Sequence, residues 1–281
     1  MDEGRMLQII EEFDKACKHF GYENFLDKYR NHELPEILEE GILYEFDWET
    51  GEKLDFYKTF PEISNFYIRD ICINLQGFSI VTKNVAKELA TYIGDRKCLE
   101  IMGGLGTWSY ALSQEGVDII STDLKLETNF TFALGKEWIE VERLDCIEAI
   151  KKYNRPVVIC SWPRYGSPFV EATKQLLSTP ETEMIHIGEG YGGCCLGEEE
   201  WDEIEKNFDV EYLSIHLQNW EGMHDSVYSI KNEKNNKNGG DEDSDSSDYD
   251  SSEERDQDNS LFEENERAKK VNDLYNKVKD K

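Results

Sequence analysis

CLEIMGGLGTWSYAL, Cys98–Leu112, decides the fold. An apolar strand ends in Glu100, the glycines Gly103, Gly104 and Gly106 follow, and a helix-like segment opens at Trp108. After a second apolar run, VDIIST, comes Asp123, 17 residues past Gly106. Glycines at such a turn let the backbone approach a ligand closely. An acid at the end of the next strand can accept from two ribose hydroxyls. Strand, glycine turn, helix and acid together read as the nucleoside-binding half of a doubly wound α/β fold.

The glycine run fits two cofactors. GLGTWS, Gly104–Ser109, is one residue short of G-x-G-x-x-G, with Ser109 in place of the last glycine, which suggests NAD. Glu100 ahead of the glycines resembles motif I of the class I S-adenosylmethionine (SAM) methyltransferases, written E-x-G-x-G-x-G. Glu100, Gly104 and Gly106 match it, and Met102 stands for its first glycine.

Outward from the turn, strands and helices alternate. The strand candidates are Lys97–Ile101, Val117–Thr122, Trp138–Leu144, Pro156–Ser161, Met184–Gly188, Val210–Leu217 and Ser226–Lys231. Helices fit over Trp108–Gln114, Cys146–Tyr153, Pro168–Leu177 and Glu198–Asn207, while Leu124–Lys136 has no clear pattern. After the turn Asn219–His224 the chain returns as SVYSIK, a hairpin closing a sheet that is otherwise parallel. Seven strands with that ending resemble the class I methyltransferase sheet. NAD-binding doubly wound domains have a sixth parallel strand there, so SAM is preferred.

Upstream, Met6, Ile9, Ile10, Phe13, Cys17 and Phe20 recur at three- and four-residue steps, giving one apolar helix face. Phe25, Leu26 and Tyr29 suggest a second short helix. Ile42–Phe78 is rich in aromatics without clear period. The stretch 1–78 reads as a helical cap packed on a domain spanning 79–231. A helix over TKNVAKELATYIGD, Thr82–Asp95, has Val85, Leu89 and Tyr92 on one face and Gly94 as its stop. Residues 232–260 are polar and of low complexity, too poor in apolar surface to offset chain entropy, and read as an acidic disordered linker. Residues 261–281 read as a short helix.

Composition narrows the function. The chain has 281 residues, room for one domain of about 150–200 residues with extensions. It contains no 18-residue apolar run, so no membrane span is expected. The acidic N-terminus has no signal-peptide pattern. Seven scattered cysteines without C-x-x-C read as reduced, in the cytoplasm or nucleus, with no metal site. The net charge is −29, of which Asp241–Asp258 contributes ten acids and one arginine. A body that stays acidic without this stretch repels phosphate backbones. A small-molecule or protein substrate is therefore expected over nucleic acid.

In a doubly wound sheet, ligands sit at the carboxyl ends of the strands. Glu100, the glycine turn and Trp108 are placed to cradle the cofactor, with a turn-ordering role for Glu100 compatible with that. Asp123 is the ribose acid. Asp145 and Cys146 close strand three, where an acid suits the adenine amino group or a helix N-cap. Strand four ends in SWPRYG. Amino-methylating enzymes place an Asn, Asp or Ser followed by Pro-Pro-aromatic here, and Ser161, Trp162, Pro163 and Tyr165 echo it. Strand five ends in IGEGYGGCCLG, with Glu189 at its mouth. The turn QNWEGMHD brings Trp220, His224 and Asp225 to the same edge if strand six is parallel. Glu189 and His224 are the candidates for proton removal.

EIMGGLGTW, SWPRYGSP, IGEGYGGCC and NWEGMHDSVY, in this order and spacing, are similar to a group of methyltransferase-like proteins. Its members carry E-I-G-A-G-x-G-x-W, W-P-P-Y, G-E-G-x-G-G-C and W-x-G-x-H-D. The resemblance covers roughly Gly77–Lys231 and departs from the group at Met102 and Arg164. It implies a SAM-dependent methyltransferase and names no acceptor. The expectation is methyl transfer to nitrogen or oxygen. The rival readings are a non-catalytic interaction module of the same fold and an NAD-dependent oxidoreductase.

Overall fold

Seven short apolar runs build the sheet. The computed structural model of the chain describes residues 3–124 and 136–232. Within them β1 (Cys98–Glu100), β2 (Ile119–Asp123), β3 (Val141–Arg143), β4 (Val157–Ser161), β5 (Glu183–Gly188), β6 (Asp209–Leu213) and β7 (Ser226–Lys231) lie in the order β3-β2-β1-β4-β5-β7-β6. Strands β1 to β5 pair in parallel. Strand β7 is antiparallel to both β5 and β6, so β6 runs with the parallel set. This is the expected doubly wound sheet, with the order and reversed strand of the Rossmann-like methyltransferase fold.

Alternation along the strands divides two cores. Val157, Ile159, Ile185 and Ile187 face one side, and Val158, Cys160 and Met184 the other. The second side is covered by α8 (Cys146–Tyr153), α9 (Phe169–Leu177) and α10 (Glu198–Asn207). The first is covered by α6 (Lys83–Ile93) and α7 (Thr107–Gln114), together with the N-terminal helices. Helix α6 begins where the Thr82 hydroxyl accepts from Val85 N and stops at Gly94, whose φ of +61° suits glycine.

The N-terminal segment folds as α1 (Glu3–Phe20), α2 (Phe25–Arg30), α3 (Glu40–Leu43), α4 (Asp55–Thr59) and α5 (Asn65–Gln76). Phe13, Phe25, Tyr29, Phe56 and Tyr57 are fully buried in the core that also holds Val157 and Ile185. Each such ring stabilises the fold by about 1.5–3 kcal/mol. Helix α5 lies inside the aromatic stretch for which the sequence suggested no period. Its buried face is Ile68, Ile71 and Cys72, with the flanking Phe66 exposed and Tyr67 half-buried, and these rings masked the pattern.

Strand β6 ends at Leu213, four residues before the expected Leu217. The chain leaves the sheet there to dock on the N-terminal segment. Gln218 donates to Leu38 O at 2.7 Å and accepts from Leu38 N at 2.8 Å, and Glu221 N donates to Leu43 O at 3.1 Å. Among the described residues no helix is long and apolar enough to cross a membrane. The expected linker past Asn232, the helix over 261–281 and the stretch 125–135 lie outside the described residues.

Candidate functional site

The turn after β1 is held from inside. Glu100 is 1% exposed, and its Oε2 accepts from Ser109 N at 3.3 Å, Ser109 Oγ at 2.5 Å and Ser121 Oγ at 2.8 Å. It thereby ties the end of β1 to β2 and to the first turn of α7. Burial pushes its carboxyl up to about 7 against these bonds. A Cβ on Gly103 would lie 2.6 Å from Ser121 Oγ, and one on Gly106 2.8 Å from Val141 Cγ2. Both glycines are therefore fixed by close packing beneath the turn.

Asp123, ending β2, accepts from Gly104 N at 2.9 Å through Oδ2. Leu144 N donates to Asp123 O at 3.2 Å, which brings the end of β3 alongside. There Asp145 caps α8, its Oδ1 accepting from Ile147 N at 2.9 Å and Glu148 N at 3.2 Å. Gly103, Gly104, Asp123 and Asp145 thus gather at the carboxyl ends of β1 to β3. Trp108 and Cys146 are 4% and 5% exposed and belong to the two cores instead. Burial also pushes the Cys146 thiol up to about 11.

Met102 sits at φ +53°, in the region glycine favours. Its side chain packs on the second core, so both Met102→Gly and Met102→Ala lose that contact. Only glycine also relieves the backbone, worth roughly 1–2 kcal/mol. Met102→Gly is therefore expected to be the more stable of the two by about 1 kcal/mol after glycine's entropic penalty. Urea melts of the pair check this, and the reverse order rejects the left-handed backbone.

A second group gathers where β4, β5 and β7 end. Trp162 N donates to Ile187 O at 2.8 Å, and the Trp162 backbone stands at φ +53°. Its indole stacks on Phe78 with centroids 5.0 Å apart, and its Nε1 donates to Asp225 Oδ2 at 2.9 Å. Ser161 Oγ lies 3.1 Å from Ser79 Oγ. Pro163 is buried, and Tyr165, 55% exposed, donates its hydroxyl to Gly193 O.

Glu189 is 5% exposed. Its Oε1 accepts from His224 N at 3.0 Å and its Oε2 from Cys194 N at 2.8 Å. It clamps the β5 loop to the turn before β7. The His224 ring is exposed and lines a cavity of about 340 Å3 with Ser214, His216 and Asn219. The three loops expected to form one mouth are thus hydrogen-bonded to one another. The two residues expected to remove a proton hold the loops together through a carboxylate and a backbone amide.

Three residues that sequence reading left without a role complete the mouth, and a fourth, Asp225, was placed there but given none. Asp225 is 8% exposed, and its backbone is locked by Asn219 through bonds of 2.9 and 3.1 Å. Its Oδ1 is buried without a partner, and burial pushes its carboxyl up to about 6. Arg69 comes from α5, with Nε buried and unpartnered. Phe78 and Ser79 come from the segment after α5. Among the described residues no group of three or more His, Cys, Asp or Glu is arranged to hold a metal ion.

No family model matches this sequence, and no curated protein matches it. Solved structures do. An O-methyltransferase family protein from Burkholderia thailandensis is similar at 11% identity over 54% of this chain and 55% of its own, with a TM-score of 0.38. Magnesium protoporphyrin IX methyltransferase from Synechocystis PCC 6803, with bound SAM, is similar at 12% identity over 53% of this chain and 79% of its own, with a TM-score of 0.37. A TehB-like SAM-dependent methyltransferase from Corynebacterium glutamicum is similar at 16% identity over 53% and 88%, with a TM-score of 0.35.

Proposed function

We propose that this chain binds SAM at the glycine turn and transfers its methyl group to nitrogen or oxygen of a small-molecule or protein acceptor. The observation that carries the reading is the bond from Gly104 N to Asp123 Oδ2, at the carboxyl ends of β1 and β2. Strand β1 lies between β2 and β4, so the turn opens at the switch point where such folds take their ligand. A carboxylate has about four acceptor sites. Asp123 can therefore keep the Gly104 bond and still accept from a ribose diol. The Oδ2 of Asp145 takes neither bond of the α8 cap and suits the adenine amino group. The antiparallel β7 stands where a second mononucleotide-binding half would need a parallel strand, which favours SAM over NAD.

When bound, the sulfonium supplies an already activated methyl group. The work left to the protein is alignment and exclusion of water. In this reading Ser161, Pro163 and Tyr165 shape the acceptor side, Trp162 walls it, and the Glu189 clamp fixes its rim. The stretch 1–78 acts as a cap that brings Arg69 and Phe78 to the mouth. The net charge of −29 disfavours nucleic acid as the acceptor. Seven free cysteines, six of them buried, suit the reducing cytoplasm.

Calorimetric titration with SAM, S-adenosylhomocysteine and NAD tests the reading. The two adenosyl ligands are expected to bind and NAD is not. Asp123→Ala is expected to weaken SAM by about 1–3 kcal/mol, the loss of hydrogen bonds to a charged group. Folded protein that takes up no SAM at millimolar concentration overturns the proposal.

A further inference from the structure

Two complementary polar atoms in the mouth have no partner. The buried Oδ1 of Asp225 is an acceptor, and the buried Nε of Arg69 is a donor. The Ser79 hydroxyl and the Arg69 guanidinium both act on the Asp225 carboxyl, yet neither makes a hydrogen bond to Oδ1. The guanidinium also acts on Cys194, in the β5 loop. Leaving such groups buried with no hydrogen bond made costs their full desolvation. Folded proteins retain such groups where a ligand or water meets them.

The surroundings describe what fits between them. Trp162 and Phe78 are half-buried and form a flat aromatic wall, with the indole fixed by its bond to Asp225 Oδ2. Ser79 and Ser161 add hydroxyls beside it.

We propose that Asp225 and Arg69 form the acceptor subsite, and that the acceptor is a small planar molecule carrying a nucleophilic N–H or O–H together with a carboxylate. This rests on the reading that the methyl donor sits at the glycine turn. Asp225 Oδ1 accepts the hydrogen bond of the nucleophile, Arg69 takes the carboxylate, and the aromatic wall takes the ring. During transfer the nucleophile's bond to carbon forms as the carbon–sulfur bond breaks, and the electron pair stays on sulfur. The proton lost by the nucleophile passes to Asp225 Oδ1, whose burial leaves it basic enough to take a proton near neutral pH. A free ionised Asp at its ordinary pKa is a weaker base. Asp225 thereby takes the role that sequence reading gave to Glu189 and His224.

The test is calorimetry on the full chain with S-adenosylhomocysteine bound, using 3-hydroxybenzoate, phenol and benzoate as probes. Phenol lacks the carboxylate and benzoate lacks the nucleophile. 3-Hydroxybenzoate is expected to bind about tenfold or more tightly than either. Arg69→Gln should bring it down to phenol, and Asp225→Asn down to benzoate. Arg69 is only half-buried, so Arg69→Gln keeps the test decisive if Asp225→Asn does not fold. Failure of S-adenosylhomocysteine to bind overturns the donor reading and this one with it. Its binding with no discrimination among the probes, or with discrimination unchanged by Arg69→Gln, overturns the acceptor assignment alone.

Discussion

Replacing Glu100 by glutamine is expected to stabilise the protein at pH 8 and to change it little at pH 5. Burial raises the Glu100 carboxyl from 4.5 to about 7 in the folded chain. Between those values the folded state holds a proton that the unfolded state has lost. Stability therefore falls as pH rises through this window and is lowest above it. At 1.36 kcal/mol per unit the full effect is roughly 3 kcal/mol. Glutamine resembles the protonated acid, since its carbonyl oxygen can accept from Ser109 and Ser121 as Oε2 does. It carries no ionisation penalty, so its advantage opens as pH rises above 4.5 and is complete above pH 7. Asp225, also raised by burial, is present in both proteins and cancels in the difference. Urea melts of both proteins at pH 5 and pH 8 measure it. An equal gap at the two pH values rejects the raised pKa.

What the sequence disclosed and what it hid divide along physical lines. The glycine turn was legible because strand, turn and acid are close in the chain and each residue type has a backbone reason to be there. The reversed β7 was legible from the alternating pattern around a polar turn. Helix α5 was not, although Ile68, Ile71, Cys72 and Leu75 keep helical spacing, because Phe66 and Tyr67 add apolar residues off that face. The early end of β6 follows from Gln218 bonding Leu38, 180 positions away, which no local pattern contains.

The mouth shows the same limit. Sequence order placed Glu189, His224 and Asp225 at one sheet edge. It did not say which carboxylate would be committed to backbone amides. Glu189 accepts from Cys194 and His224, while Asp225 is left with one oxygen unpartnered. Arg69 reaches the site from α5, far upstream of Ser161 and Asp225, by packing of the N-terminal helices on the sheet.

Gly103→Ala is expected to remove cofactor binding and to destabilise the fold by roughly 2–5 kcal/mol, combining overpacking with damaged hydrogen bonds. The backbone at Gly103 is not in the left-handed region, so the cause is space. The added methyl would stand 2.6 Å from Ser121 Oγ and 2.9 Å from Glu100 Cδ. Neither can yield easily, since Ser121 is in β2 and Glu100 is fixed by three hydrogen bonds. Relief must come from the turn itself, which would move Gly104 N away from Asp123. Ser121→Ala alone should cost about 1 kcal/mol or somewhat more for its bond to the carboxylate. In the double variant the nearest clashing atom is gone, so Gly103→Ala should destabilise less in that background than in the native one. Such non-additivity is what shared packing predicts. Urea melts of the four proteins, with SAM calorimetry on each, measure both effects. If Gly103→Ala melts and binds like the native chain, the close approach of the turn to Ser121 and Glu100 is wrong.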